Sequence, residues 1–259
     1  MLPITAKVIA DSIYNGNRLI TLELEYPRYI HAEFMTHRVF SRNAQSSRAI
    51  PVATMIKKVR DSEWYPIFMK NQKGMAAAEE LSGVELTKAQ HIWQMSKLEA
   101  CKYAERYAEL GVHKQVANRL LEPFSTIKVI VSATEWDNFF SLRISPAAQQ
   151  EICILAWRIR AAMDCSTPVK VDVCNWHLPY IYESEQRLDL ELIKKISVAR
   201  CARVSYLNHD SQLDHAKDIE LFNQLKTSRH LSPFEHVATP TSLNSYSNFK
   251  GWNQLRSFI

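Results

Sequence analysis

The chain has 259 residues, of which 46% are hydrophobic and 23% are charged, and its formal net charge at pH 7 is +5. This balance is typical of a globular protein with one large domain or two small ones, and so mild a charge does not separate a nucleic-acid partner from a nucleotide ligand. No run of about 18 apolar residues occurs, so we expect no membrane span. The N-terminus lacks a charged-then-apolar signal pattern, which predicts a cytoplasmic protein, in the host cytoplasm if it is viral.

The chain is predicted to begin with a β-hairpin. Residues 4–10 and 18–26 have the composition of strands, and the second segment alternates apolar with polar side chains, as in a sheet with one buried face. The sequence Asn-Gly-Asn at 15–17 is typical of a tight turn between them. A short helix around residues 30–35 then leads into a polar segment that Pro51 closes.

Helical spacing dominates the rest of the chain. In order, we predict a helix over 87–110 that ends at Gly111, a short helix over 113–121, a strand over 126–133, a helix capped by Thr134, a helix begun by Ser145 and Pro146, and helices after Asp189 and Ser211. The helix after Pro146 has its buried stripe at Ile152, Leu155, Ile159 and Met163. The fold class predicted is α+β, mostly helical with a small antiparallel sheet.

Glycine and cysteine usage excludes several kinds of site. The five glycines form neither G-x-G-x-x-G nor G-x-x-x-x-G-K, so any phosphate must be held by side chains and helix N-termini. The five cysteines are widely spaced and contain no C-x-x-C, which predicts reduced thiols and neither a disulfide framework nor a zinc site. No G-x-S-x-G motif and no Cys/His spacing points to a nucleophile.

A basic segment, FMTHRVFSRNAQSSRAIP, spans residues 34–51 and contains Arg38, Arg42 and Arg48 but no acidic residue. Guanidinium groups have a planar set of donors that suits phosphate oxygens, and the Ser, Asn and Gln side chains between them add neutral donors. The spacing of the arginines is also compatible with a solvated basic surface. Spacing alone does not decide between these two interpretations.

Two further segments combine polar and apolar residues. In residues 132–152, Asn138 is either a surface amide or a ligand contact, and Arg143 either extends to solvent or is held for a partner. In residues 227–240, two histidines are six positions apart, which fails the spacing of H-E-x-x-H and favours local packing over a metal site.

Together the three segments resemble the flavin-dependent thymidylate synthases. The family signature is RHRxxSxNExSxRY, and the corresponding residues here are THRVFSRNAQSSRA. The positions that match are His37, Arg38, Ser41, Asn43, Ser46 and Arg48. Thr36, Ala44 and Ala49 replace an arginine, a glutamate and a tyrosine of the signature.

Other motifs extend the resemblance. TEWDNFFSLRISPAAQQEI is similar to a second hallmark and identifies Asn138 and Arg143, while ANRLLEP resembles A-R-x-x-L-P and identifies Arg119, with an extra residue after the alanine. HLSPFEH, which normally precedes the signature, lies at 230–236. The resemblance therefore implies one domain over residues 1–259 whose family N-terminal segment is relocated to about 190–240, a circular permutation.

The resemblance implies reductive methylation of dUMP to dTMP, with methylenetetrahydrofolate as carbon donor, FAD as the hydride-carrying cofactor and NADPH as cosubstrate. Arg143 would be catalytic because a fixed cation stabilises enolate charge on the uracil ring. The implied FAD contacts are His37, Arg38, Ser41, Asn43, Asn138 and His236. The implied substrate contacts are Glu33, Gln45, Ser46, Arg48, Arg119 and Arg143. The family forms homotetramers, so a homo-oligomer is expected, with no nucleic-acid or membrane partner and no metal.

Two alternatives remain open from the sequence. The replacements at Thr36 and Ala44 are compatible with a pyrimidine-nucleotide hydroxymethylase of the same family. A nucleic-acid-binding module that uses the Arg-rich segment would show steep salt dependence and no flavin. Few aromatic residues lie between the arginines, which disfavours a stacking platform for single strands.

Overall fold

The computed structural model describes residues 2–74, 76–205, 214–242 and 248–259. The strands are β1 (Thr5–Tyr14), β2 (Asn17–Pro27), β3 (Ser41–Ala44), β4 (Thr126–Ala133), β5 (Val169–Lys170), β6 (Ala238–Pro240) and β7 (Trp252–Gln254). The α-helices are α1 (His31–Met35), α2 (Val52–Arg60), α3 (Gly83–Glu109), α4 (Lys114–Ala117), α5 (Asp137–Arg143), α6 (Gln150–Asp164), α7 (Leu190–Ala202) and α8 (His215–Thr227). Short 3-10 helices cover Arg28–Ile30, Ser47–Ala49, Asn118–Phe124, Glu183–Glu185, Arg203–Ser205, Ser232–Glu235 and Leu255–Phe258.

Five strands form one mixed sheet in the order β3-β4-β2-β1-β5, and β6 pairs with β7 in a second, small sheet. All neighbours in the large sheet are antiparallel except β1 and β5. The predicted hairpin is confirmed: Asn15 and Gly16 both adopt positive φ, at 44° and 80°, which the tight turn between β1 and β2 requires. The α+β class is confirmed, and β5 makes the sheet mixed instead of purely antiparallel.

One face of the sheet is covered by α6 and forms the main core. Leu22 of β2 lies beside Val131 of β4, and both are fully buried. The predicted stripe of α6 is confirmed, since Ile152, Leu155 and Ile159 are buried in the same cluster and Met163 packs at its edge. This apolar contact is the main stabilising layer, because buried apolar area contributes about 25 cal/mol per Å².

The other face of the sheet is also buried, which corrects the prediction of a sheet with one buried face. The C-terminal part of the chain covers it, and its side chains form hydrogen bonds with polar residues of the strands. His177 Nε2 lies 2.8 Å from Thr21 Oγ1, and His236 Nδ1 lies 2.8 Å from Ser132 Oγ. The predicted alternation of apolar and polar residues is confirmed, but the polar side chains contact protein and not water.

Two predicted helix starts are wrong. Thr134 does not cap a helix; its hydroxyl accepts the backbone N–H of Lys250 at 2.9 Å, and α5 begins only at Asp137. The helix assigned to Ser145 and Pro146 begins at Gln150, because Gln149 is still extended, with φ −59° and ψ 142°.

Later elements follow the sequence more closely. Asp189 caps α7 as predicted, by accepting the backbone N–H of Leu192 at 3.1 Å. Ser211 lies outside the described residues, and α8 is capped by Asp214. The predicted helix over 113–121 is α4 followed by a 3-10 turn that continues through Pro123. Across the described part of the chain, no helix has both the length and the apolar character needed to cross a membrane.

Candidate active site

A cleft with a volume of about 990 Å³ lies between the β1–β2 turn, the loop after α1, α5 and the end of α6. Three residues predicted to contact cofactor line it, namely His37, Arg38 and Asn138. This size lies at the upper end of the range for small-molecule sites, so the cleft accommodates a ligand as large as a dinucleotide.

Arg143, at the end of α5, does not line the cleft but lies beside it, since its partners Thr36 and His37 belong to the lining. Four hydrogen bonds to the residues just before β3 hold it there. Its Nε donates to His37 Nε2 at 2.9 Å, its Nη1 to Glu33 Oε2 at 3.3 Å, and its Nη2 to both Thr36 Oγ1 at 3.1 Å and the Glu33 carbonyl at 3.3 Å. A guanidinium has five N–H groups, so these contacts leave one Nη1 N–H available to a ligand.

Thr36 links Arg143 to the backbone of α1. Its hydroxyl donates to the Glu33 carbonyl at 2.7 Å while it accepts from Arg143. An arginine here, as in the family signature, would bring a second positive charge against Arg143. The threonine instead supplies a neutral acceptor, which favours the charged guanidinium.

His37 must be neutral to accept the N–H of Arg143. Burial, followed by the positive charges of Arg143 and Arg42, lowers the pKa of His37 from 6.5 to about 4. The ring packs edge-on against Phe139, with centroids 4.9 Å apart. Near neutral pH the imidazole is therefore a fixed acceptor and does not compete with Arg143 as a cation.

Aromatic rings form one wall of the cleft. Phe40 and Trp136 have centroids 4.5 Å apart, and Phe139 and Phe140 continue the cluster. The Arg160 guanidinium lies 4.3 Å from the centroid of the Phe140 ring, within the range of a cation–π contact. This wall is therefore apolar and well packed, with a cation at its edge.

Cations and carboxylates share the rim of this cleft. Arg38, Arg160 and Lys250 line it together with Glu135, Asp137 and Asp164. Arg38 is exposed and has no hydrogen-bond or ion-pair partner within the described ranges. An unpaired guanidinium beside an aromatic wall fits a ligand with both a pyrophosphate and a planar ring system, as FAD has. Sequence reasoning missed Trp136, Arg160 and Lys250, which no motif distinguishes from surface or core residues.

The predicted phosphate contacts lie elsewhere. Gln45 and Ser46 precede the 3-10 turn Ser47–Ala49, which contains Arg48, and Arg119 pairs with Glu122 at 2.9 Å. Among the described residues that line the cleft, none belongs to this group. Within one chain, these four predicted substrate contacts are therefore separate from the cleft, whereas the other two, Glu33 and Arg143, lie beside it.

Three other predicted FAD contacts face the opposite side of the sheet. Alternation along β3 directs Ser41 and Asn43 inward, where Ser41 accepts from Gln254 Nε2 at 2.8 Å and Asn43 Nδ2 donates to the Cys201 carbonyl at 3.4 Å. His236 is fully buried, and its Nε2 has no hydrogen-bond partner in the described structure. The structure does not bring these three residues to the cleft.

Comparison with known proteins adds a family and a fold. The sequence profile of the family described as "Thymidylate synthase complementing protein" matches residues 18–169. Two solved structures of the UMP/dUMP methylase PolB from Streptomyces cacaoi are similar to this chain. The one bound with 5-Br UMP has 15% identity, a TM-score of 0.51, and covers 63% of this chain and 89% of that chain. The structure bound with 5-Br dUMP has 15% identity and a TM-score of 0.49, and the match covers 62% of this chain and 89% of that chain.

At this identity, the first of these structures supports a common fold and nothing beyond it. No curated protein matches the sequence. The profile match covers more than half of the chain and includes the basic segment, β4, α5 and Arg143. The protein therefore belongs to the thymidylate synthase complementing protein family, the flavin-dependent thymidylate synthases.

Proposed function

We propose that the protein is a flavin-dependent thymidylate synthase that converts dUMP to dTMP with methylenetetrahydrofolate as carbon donor and NADPH as reductant. The observation that carries this proposal is the placement of Arg143, fixed by Glu33, Thr36 and His37 beside the aromatic cleft. The related UMP/dUMP methylase is consistent with a pyrimidine nucleotide as substrate.

The residues of the cleft fit FAD, which supplies hydride chemistry when bound. Arg38, with Arg160 and Lys250 nearby, would bind the pyrophosphate, and Asn138 would hydrogen-bond to polar edges of the cofactor. Phe40, Trp136 and the neighbouring phenylalanines would pack against a ring and exclude water.

Arg143 is the proposed catalytic residue. Its remaining Nη1 N–H would donate to a uracil carbonyl and stabilise the negative charge that develops when C5 becomes nucleophilic. Neutral His37 and the hydroxyl of Thr36 orient the guanidinium, so little reorganisation is needed during the reaction. Glu33, which pairs with the same guanidinium, would orient it from the other side and contact the substrate only through it.

Ser46, Arg48 and Arg119 are the proposed contacts of the dUMP phosphate, with Gln45 contributing backbone groups. They lie apart from the cleft in one chain, so we propose that a complete site forms between copies of the chain in a homotetramer. Arg48 is exposed and has no partner within the described ranges, as expected of a group that awaits an anion. Analytical ultracentrifugation tests the assembly, and a monomer with full activity would contradict it.

Circular permutation is the proposed origin of the motif order. Two observations support it: Trp252 Nε1 donates to the Asn17 carbonyl at 3.2 Å, and the family match begins at residue 18. The C-terminal segment thus lies beside the start of β2. A chain in which residues 186–259 precede residue 1 through a flexible linker should fold with an unchanged circular dichroism spectrum. An unfolded product would count against the permutation.

The experiment that tests the catalytic assignment is turnover by Arg143→Ala, with Arg143→Lys for comparison. We expect Arg143→Ala to abolish dTMP formation while FAD remains bound, as judged by its absorbance. Arg143→Lys should retain a small fraction of activity, since lysine keeps the charge but not the planar donor set. Full activity of Arg143→Ala would remove Arg143 from its role.

A further inference from the structure

The turn that carries Ser46 and Arg48 is fixed from within the protein by one side chain. Asn118 Nδ2 donates to the carbonyl of Ser47 at 2.8 Å and to the carbonyl of Ile50 at 2.9 Å. These two carbonyls lie at the start of the 3-10 turn Ser47–Ala49 and immediately after it. A single amide group therefore fixes both ends of the turn.

Asn118 is an unusual residue for its position. It is the extra residue that follows the alanine in ANRLLEP, and it is fully buried. Its Oδ1 has no hydrogen-bond partner in the described part of the chain. An unsatisfied buried carbonyl is unfavourable, so the residue is explained by its two N–H donors, which aspartate or leucine would lack.

A second set of contacts fixes Gln45, two positions before the turn. Arg28 donates through Nη1 and Nη2 to the carbonyl of Gln45, both at 3.2 Å, and its Nε lies 3.3 Å from Glu122 Oε1. The backbone N–H of Gln45 donates to the carbonyl of Lys128 in β4 at 2.8 Å. The segment is thus held at residue 45 by Arg28 and β4, and at residues 47 and 50 by Asn118.

Within residues 46–50, Arg48 has the exposed side chain. Ser47 and Ile50 are buried and Ser46 is partly exposed, whereas Arg48 is exposed. Fixing the backbone of a turn reduces the entropy that is lost when its side chain binds an anion. The arrangement is that of a preorganised cation on a rigid support.

We propose that Asn118 is a positioning residue that presents Ser46 and Arg48 to the phosphate of the nucleotide substrate. This inference rests on the proposed function, because it takes the phosphate as the ligand of Arg48. Asn118 itself touches no substrate, and its effect is transmitted only through the two carbonyls.

The test compares dUMP with deoxyuridine, which has the same base and sugar but no phosphate. Steady-state kinetics are measured with both substrates on the same preparation of each variant, so that any unfolded fraction cancels in the ratio. The variants are Asn118→Asp, Asn118→Ala and Arg48→Ala, and the matched control is Asn223→Asp in the exposed pocket of α8. FAD absorbance reports the folded holoenzyme.

We expect Asn118→Asp and Asn118→Ala to raise KM for dUMP about 10- to 100-fold with kcat little changed, the size associated with a displaced contact. Activity with deoxyuridine should stay the same, so the preference for dUMP falls, as it does in Arg48→Ala. Asn223→Asp should match the parent.

An unchanged preference for dUMP in both Asn118 variants would overturn the inference while leaving the proposed function intact. Equal losses with dUMP and deoxyuridine would also overturn it, since they indicate a structural role. A parent enzyme that does not act on dUMP would overturn the proposed function itself.

Discussion

Acid should destabilise this protein through two buried histidines. His177 bonds through Nδ1 to Ser12 Oγ at 2.9 Å and through Nε2 to Thr21, and His236 bonds to Ser132. Burial lowers the pKa of each from 6.5 to about 3, and for His236 the neighbouring His177 contributes to the shift. Both residues connect the C-terminal part of the chain to the sheet.

The sign follows from the direction of these shifts. The unfolded chain binds protons at about pH 6.5 and the folded protein only near pH 3, so stability is complete above pH 6.5 and falls as the pH decreases toward 3. Between pH 7 and pH 5, each histidine should remove about 2 kcal/mol from the free energy of unfolding, or about 4 kcal/mol together. That is a large part of the 5–15 kcal/mol typical of a domain.

Urea denaturation at pH 7 and pH 5 measures this loss in the parent and in His236→Gln. Glutamine retains a hydrogen bond to Ser132 but does not titrate, so the difference between the two pH values should shrink by about 2 kcal/mol. His91→Gln, at an exposed position of α3, is the control and should leave the difference unchanged. An identical loss in His236→Gln and the parent would show that His236 does not cause the loss of stability in acid.

Three further outcomes are expected. Thr36→Val should lower kcat about 10-fold in turnover assays, because it removes the hydroxyl that accepts a hydrogen bond from Arg143. An unchanged kcat would contradict the role of this hydroxyl. Arg38→Ala should weaken FAD binding about 10-fold in a fluorescence titration. The control Arg158→Ala, on the exposed side of α6, should leave FAD binding unchanged. Equal effects of the two variants would contradict the assignment of the cleft as the FAD site. Leu155→Ala should lower the free energy of unfolding by about 3 kcal/mol, and a loss below about 1 kcal/mol would contradict its place in the core.

The elements with strong local signals were predicted from the sequence. Alternation in β2, the Asn-Gly turn and the cap of α7 each depend on neighbouring residues, and all three are confirmed. Strand β3 was missed because Ser-Arg-Asn-Ala has no strand composition; it forms by pairing with β4, far along the chain. The second buried face was missed because Thr21 and Ser132 look solvent-directed until histidines of the C-terminal segment satisfy them.

Only part of the candidate site could be predicted from the sequence. The family resemblance identified Arg143 and His37, but their hydrogen bond joins residues 106 positions apart, which no local period reveals. Thr36 looked like an unexplained departure, and its role became visible only with the two partners of its hydroxyl. Asn118 resembled an insertion in the sequence. Its role depends on hydrogen bonds to two carbonyl groups that are 68 and 71 positions away along the chain. The assigned ligand roles of these residues stay predictions.

The mass of the product formed from dUMP tests most directly whether the protein is a thymidylate synthase. Purified protein would be incubated with FAD, NADPH, methylenetetrahydrofolate and dUMP, and the nucleotide analysed by mass spectrometry, with dCMP as a parallel substrate. We expect dTMP, formed only with added flavin and absent with Arg143→Ala. A hydroxymethylated nucleotide, a preference for dCMP, or protein that remains colourless after incubation with FAD would contradict it.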